Sequence, residues 1–289
     1  MQRRACSRIS SECFLPLILC ALIVAAVSDF GSRGRAELRP KFDSRESLHP
    51  PKSPILIIIL AGQSNMDGRA DKKDLPEGLA APQSDVRFFY RDSWTFLQPG
   101  SSWRVKQPEL FGPEISFGRA MADRHPKQRF ALVKHAKGGT SLAEEWNPSG
   151  GAHYQMLFDR IRRATEELSR EGLAWEVKGF VWMQGERDAD FTSYAAAYET
   201  NFVKFIEAVR RDLNKPELPF VFGQIHAPTY KFRVQVREAQ AKVARAVMNI
   251  RMVRTDDLPM QKDQTHYDAN GFVMLGRRFA DAFNELIEK

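Results

Sequence analysis

Four short polar clusters hold the residue types that ester hydrolysis needs, and they are spread over most of the chain. Gly62-Gln63-Ser64-Asn65 offers a hydroxyl, Gly138-Gly139-Thr140 a tight turn, Gln184-Gly185-Glu186 an amide and a carboxylate, and Asp263-Gln264-Thr265-His266 a carboxylate and an imidazole. Acyl transfer by serine requires a hydroxyl, a neutral imidazole to take its proton, a carboxylate on the other ring nitrogen, and donors aimed at the developing oxyanion. Ser64 is the candidate nucleophile and His266 the base. Asp263, three residues earlier, is near enough in a turn to accept from the far ring nitrogen. The Ser64 and Gly139 N–H groups and the Gln184 side-chain amide are the candidate oxyanion donors. Each cluster alone has a plainer meaning, since Ser and Gly after a strand commonly make a turn and Asp-x-x-His a helix cap. Their joint occurrence favours catalysis.

The chain must bring these clusters together. Residues 55–60 are apolar, mostly β-branched and without alternation, which predicts a strand buried on both faces at the centre of a parallel sheet. Apolar runs at 130–133, 177–183, 219–225 and 250–255 alternate with helical patterns at 113–124, 154–170, 191–213, 234–248 and about 270–287. That alternation predicts a three-layer α/β/α domain with a five-stranded parallel sheet and right-handed crossovers. Three of the polar clusters follow strands, so they share the carboxyl edge where such sheets bind ligands. The segment 263–266 precedes the last helix and reaches that edge from above. Two short runs, 86–90 and 94–97, predict a hairpin or lid on the sheet's rim.

Taken in order, Gly62-Gln63-Ser64-Asn65-Met66-Asp67-Gly68, Gly138-Gly139-Thr140-Ser141-Leu142 with Trp146, Trp182-Met183-Gln184-Gly185-Glu186 and Asp263-Gln264-Thr265-His266 resemble the blocks of the SGNH hydrolase superfamily. Within it they are similar to the sialate O-acetylesterase-like branch, which includes carbohydrate esterase family 6 acetylxylan esterases. The resemblance spans 55 to beyond 266. It implies a flavodoxin-like sheet and metal-free deacetylation of carbohydrate through an acetyl-serine intermediate, with Gln184 where other SGNH enzymes use an oxyanion-hole Asn. Glu186 matches a recurring acid of the branch, either structural support or an auxiliary catalytic group. Arg187 stands where the branch often has a small residue, which bears on substrate contacts and not on the triad. Gln63, Asn65 and Thr140 are expected to support the site or touch substrate.

Trp146 either stacks on a sugar or packs beneath its loop. His226 follows the fourth strand at the right edge to touch substrate or to make a structural hydrogen bond. His49, His125, His135 and His153 lack a metal-ligand pattern, so neither a catalytic metal nor a cofactor is expected. Two rival functions are a non-catalytic carbohydrate-binding protein and an esterase for longer acyl chains. The complete set of candidate groups weighs against the first. The absence of a second Gly after Ser64 weighs against the α/β-hydrolase elbow that the second would use.

At 289 residues the chain suits one α/β domain, 54–289, behind an N-terminal extension. The formal charge of +7 is mostly in that extension: nine Lys/Arg against five Asp/Glu precede residue 54, leaving +3 for the domain. With no basic helix interleaved with aromatics, nucleic acid is not an expected partner. Arg3, Arg4 and Arg8 precede an apolar run from Phe14 to Val27, and Ala26-Val27-Ser28 offers small residues for a peptidase. Residues 1–28 therefore read as a signal peptide, or as a membrane anchor if uncleaved, and 29–53 as a flexible linker. Cys6, Cys13 and Cys20 all fall in this leader, so an exported mature chain would contain no thiol.

Overall fold

A computed structural model describes residues 53–90, 92–100 and 109–288. The predicted leader and the predicted linker up to residue 52 lie outside them. Strand β1 (Ile55–Gly62) leads through helix α1 (Ser64–Asp67), strand β2 (Ala70–Asp71) and helix α2 (Glu77–Ala80) into strands β3 (Gln83–Tyr90) and β4 (Ser93–Leu97). There follow β5 (Leu110–Phe111), α3 (Glu114–Arg124), β6 (Arg129–Ala136), α4 (Ala152–Arg170) and β7 (Trp175–Met183). The chain continues through α5 (Thr192–Asp212), β8 (Phe220–Gly223), α6 (Arg233–Ala246), β9 (Ile250–Val253) and α7 (Ala269–Ile287).

The main sheet has the order β4-β3-β6-β1-β7-β8-β9, and every pair is parallel except β3 with β4. The five strands expected from the sequence are its β6-β1-β7-β8-β9 portion, whose succession is the flavodoxin-like one. The strand count is corrected to seven because the 86–97 hairpin is part of the sheet and no lid. Val86 through Phe89 pair in parallel with Phe130 through Val133 of β6, which buries Val86, Phe88, Phe89, Trp94 and Leu97. Leaving those side chains on a lid would have kept them in water, at about 1.5–3 kcal/mol each.

Side-chain alternation along β7 separates the two helical layers. Phe180 and Trp182 face α5, where Phe205 lies 6.0 and 4.4 Å from their ring centres. Gly179 faces α7 and lies under Phe283, which in turn packs on Phe117 of α3. From β1 the chain crosses to β6 on one side and, after α4, to β7 on the other. The reversal opens a crevice at the carboxyl end of β1. Gly62 makes the strands' ends meet there: its φ is +146°, and a Cβ would fall 2.1 Å from the Met183 carbonyl oxygen.

Behind that crevice lies a buried ion pair. Lys134 Nζ donates to Glu114 Oε2 and to the Asp67 carbonyl, both at 2.8 Å, and Glu114 Oε1 accepts from Gly112 N–H at 3.1 Å. Glu114, at the amino end of α3, thus faces Lys134 in the core, with both side chains at most 3% exposed. Lys134→Met should destabilise the domain by about 3–5 kcal/mol, because it strands the carboxylate in the core. Urea unfolding measures this, and a loss under about 1 kcal/mol would mean that the pair contributes little.

Candidate active site

β1 ends in Gly62, and the Gln63 carbonyl then accepts from Met66 N–H (2.9 Å) and Asp67 N–H (2.7 Å), winding the chain into the single turn α1. Ser64 heads that turn, so its N–H has no acceptor among the described residues. Opposite it, Lys137 N–H donates to the Gly62 carbonyl and Thr140 Oγ1 donates to the Lys137 carbonyl at 2.7 Å. Those bonds close the turn at Gly139, where φ is +76° and a Cβ would meet open space. The Gly139 N–H likewise has no acceptor among the described residues.

His266 arrives from the loop before α7. Its Nδ1 lies 2.6 Å from Asp263 Oδ2, while Asp263 Oδ1 accepts from Thr265 N–H (2.9 Å) and His266 N–H (3.0 Å). Partial burial works to raise the Asp263 carboxyl, but the hydrogen bonds from His266 and Thr265 outweigh it and hold the group below the ordinary carboxylate range. An ionised acceptor at that position puts the ring proton on Nδ1 and leaves the Nε2 lone pair for a hydroxyl. Ser64, His266, Gln63, Gly138 and Gly139 line one cleft of about 330 Å³, together with Arg187. Ser64 Oγ makes no hydrogen bond among the described residues. Nucleophile–base bonds commonly reach full strength only around the bound substrate.

Asn65 joins the front of the domain to its end. Its Nδ2 donates to the Thr265 carbonyl (2.9 Å) and to Glu186 Oε1 (2.7 Å), and its Oδ1 accepts from Tyr267 N–H at 3.3 Å. His266 is therefore clasped on both sides by the neighbour of Ser64. Glu186 is fully buried beneath this clasp and does not line the cleft, which makes it a support. Burial pushes its carboxyl up from 4.5 to about 7. The folded chain holds that proton more tightly than the unfolded one, so Glu186 costs stability as pH rises from 4.5 to about 7. Glu186→Gln should accordingly gain on the wild type across that window in urea midpoints. A difference between the two proteins that does not change with pH would contradict this.

The geometry corrects one expected role, that of Gln184, and decides between the two open to Trp146 in favour of packing. Gln184 has no exposed surface and does not line the cleft. Its Nε2 donates to Asp188 Oδ2 (2.6 Å) and to the Thr140 carbonyl (3.0 Å), so both amide protons are committed and neither faces an oxyanion. Trp146 is no sugar platform. It is fully buried, crosses Trp182 edge-on at 5.0 Å and donates from Nε1 to Thr140 Oγ1 at 2.8 Å, holding the glycine turn from below. His226 also lies off the cleft, with Nδ1 3.9 Å from Asp256 Oδ1, and burial lowers its pKa. Arg187 does face the cleft; its guanidinium pairs with Asp190 at 3.3 Å and sits 4.6 Å over the Phe191 ring.

A model of the family described as carbohydrate esterase, sialic acid-specific acetylesterase, matches residues 54–285. The chain belongs to this carbohydrate esterase family. A probable carbohydrate esterase of Arabidopsis thaliana is 30% identical over 257 residues, spanning 83% of this chain and 95% of the plant protein. The 1.6 Å X-ray structure of that plant protein has a TM-score of 0.70 at 27% identity, over 81% of this chain and 99% of the other. A carbohydrate acetylesterase from Xanthomonas citri shares the fold at 20% identity, with a TM-score of 0.60 over 80% of this chain and 56% of the bacterial one.

The esterase cleft contains residues that the sequence patterns did not single out. Arg69, Asp190, Tyr230 and Thr265 line it. Arg69 was within reach of inference, since it directly follows the Gly62–Gly68 block. Its guanidinium lies over Gly138, where a Cβ would come within 2.2 Å of Nη2. Tyr230 gave no signal, because nothing in residues 226–232 reads as a motif. Asp188 likewise matches no motif in the sequence. It accepts from Leu142 N–H (2.9 Å), Ala143 N–H (3.2 Å) and Gln184, tying two of the blocks together. Among the described residues, no group of three or more His, Cys, Asp or Glu is placed to hold a metal ion.

Proposed function

We propose that this esterase removes O-acetyl groups from carbohydrate by way of an acetyl-serine intermediate. One observation supports it above the others: an imidazole oriented by an ionised carboxylate at 2.6 Å opens onto the same cleft as the Ser64 hydroxyl and two uncommitted backbone N–H donors. Ser64 Oγ attacks the acetyl carbonyl carbon while His266 Nε2 takes the hydroxyl proton. The resulting oxyanion collapses, the sugar oxygen leaves, and the imidazolium returns the proton to it. Water then attacks the acetyl carbon while His266 takes its proton; the bond to Ser64 Oγ breaks, Oγ receives the proton back from His266, and acetate leaves.

The cleft suits a small acyl group on a polar leaving group. Arg69, Arg187, Asp190 and Tyr230 offer charge and hydrogen bonds around it, which fit sugar hydroxyls better than an alkyl chain. The relatives' names, carbohydrate esterase and carbohydrate acetylesterase, agree with such a substrate. Acetylated xylan-type polysaccharide and O-acetyl sialic acid are the substrates to compare. We further propose export, with residues 1–28 acting as the signal; the small residues at 26–28 and the confinement of all cysteines to the leader support this.

The test is acetate release from both acetylated carbohydrates, alongside aryl acetate and aryl octanoate. Release from at least one carbohydrate, with acetate esters cleaved faster than octanoate, is the expected result. Binding of the glycans without any acetate release would identify a non-catalytic binding protein, and faster octanoate cleavage a long-chain esterase.

A further inference from the structure

Phe191 is one of the few large apolar side chains left in solvent among the described residues, at 40% exposure, and it lies under an arginine of the catalytic cleft. We propose that Arg187, Phe191 and Tyr194 form a second subsite, which binds the sugar unit next to the acetylated one, so that a glycan chain is a better substrate than a single sugar. The proposal rests on the carbohydrate esterase function above.

The strip joins the chemistry at its inner end. Arg187 lines the cleft, and its backbone N–H donates to Gln63 Oε1 at 3.3 Å, one residue from the nucleophile. A 3₁₀ turn, Asp188–Asp190, carries the chain on to Phe191, the residue at the amino end of α5. Tyr194 follows three residues later, which places it on the same face of the helix, and the two ring centres are 5.0 Å apart. The Arg187 guanidinium lies 4.6 Å from the centre of the Phe191 ring. The three groups thus succeed one another at steps comparable to one pyranose unit, leading from the cleft onto the surface.

These side chains are held in place before any ligand arrives. The Arg187 guanidinium donates to Asp190 at 3.3 Å, and the Tyr194 hydroxyl donates to the Glu144 carboxylate, which comes from the loop after the glycine turn. Groups already ordered lose little freedom on binding. Their chemistry also matches a sugar, which has an apolar C–H face and a rim of hydroxyls. The aromatic rings suit the face. Arg187 suits the rim, because its donors other than the one bonded to Asp190 have no acceptor among the described residues. A solvent-exposed aromatic pair continuous with a polar cleft has a use in such a substrate, whereas an acyl chain laid on the rings would leave the guanidinium without a partner.

Kinetics on a singly acetylated xylo-oligosaccharide and on singly acetylated xylose test the subsite. The wild type should favour the oligosaccharide by about tenfold or more in kcat/KM, and the advantage should lie in KM, since stacking holds ground state and transition state alike. Phe191→Ala and Tyr194→Ala should each reduce that preference, Phe191→Ala to about threefold or less. Phe191→Tyr keeps the stacking face and should keep the preference. A variant that is merely less well folded loses both rates together and leaves their ratio in place. A wild type that cleaves aryl acetate yet shows no preference for the oligosaccharide, or a preference that either alanine variant leaves undiminished, overturns the subsite while the esterase function stands. If the wild type cleaves aryl acetate no faster than Ser64→Ala, the esterase function itself fails and takes the subsite with it.

Discussion

Ser64→Ala should lower kcat for aryl acetate by about 10⁴-fold or more, while leaving the urea midpoint close to that of the wild type. The two halves of that expectation come from separate features. Activity is lost because the attacking oxygen is gone. The residual rate reflects the donors alone, which in triad enzymes sustain about 10³–10⁴-fold over water. Stability is spared because the Ser64 side chain makes no hydrogen bond among the described residues and α1 is held by the Met66, Asp67 and Gly68 N–H groups donating to the Gln63 and Ser64 carbonyls. Loss of both activity and stability would instead make Ser64 a structural residue of the turn.

Asp263→Asn tests the other end of the relay, and kcat should drop by about 10⁴-fold. The substitution keeps an oxygen to accept from Thr265 and His266 N–H, so the loop retains its shape. What changes is the atom 2.6 Å from His266 Nδ1, which becomes an amide donor in place of an acceptor. The ring then carries its proton on Nε2, the nitrogen needed to receive the Ser64 proton, and the base is blocked without any change in size. Substrate binding does not involve this bond, so KM should move little. A kcat within about tenfold of the wild type would show that another group orients the imidazole.

The fold was legible wherever a run of side chains has only one way to be buried. Residues 55–60 read as a central strand since both of their faces are apolar, and the four other principal strands followed from the same pattern. The 86–97 hairpin reads from sequence as a rim element and not as part of the sheet. Its run Val86-Arg87-Phe88-Phe89 mixes an exposed-type cation with large apolar groups, and only the pairing with β6 shows that the phenylalanines are core. The candidate site divides in the same way. Ser64, Asp263 and His266 are recognisable because their chemistry is complementary whatever the distance between them in sequence. The Gln184 amide reads as an oxyanion donor because residue type reports that donors exist, not that Asp188 and the Thr140 carbonyl already take them. Asn65 shows the limit most plainly: its bonds to Thr265 and Tyr267 cross some 200 residues, and no local pattern announces such a contact.

During turnover the acyl group of the substrate is expected to pass through the Ser64 oxygen. Rapid acid quenching of the enzyme during turnover of an aryl acetate, followed by peptide mass spectrometry, tests it directly. The peptide containing Ser64 should carry one acetyl group in the wild type and none in Ser64→Ala. Continued acetate release from a Ser64→Ala protein at the wild-type rate, or an acetyl group found only on some other residue, would contradict it.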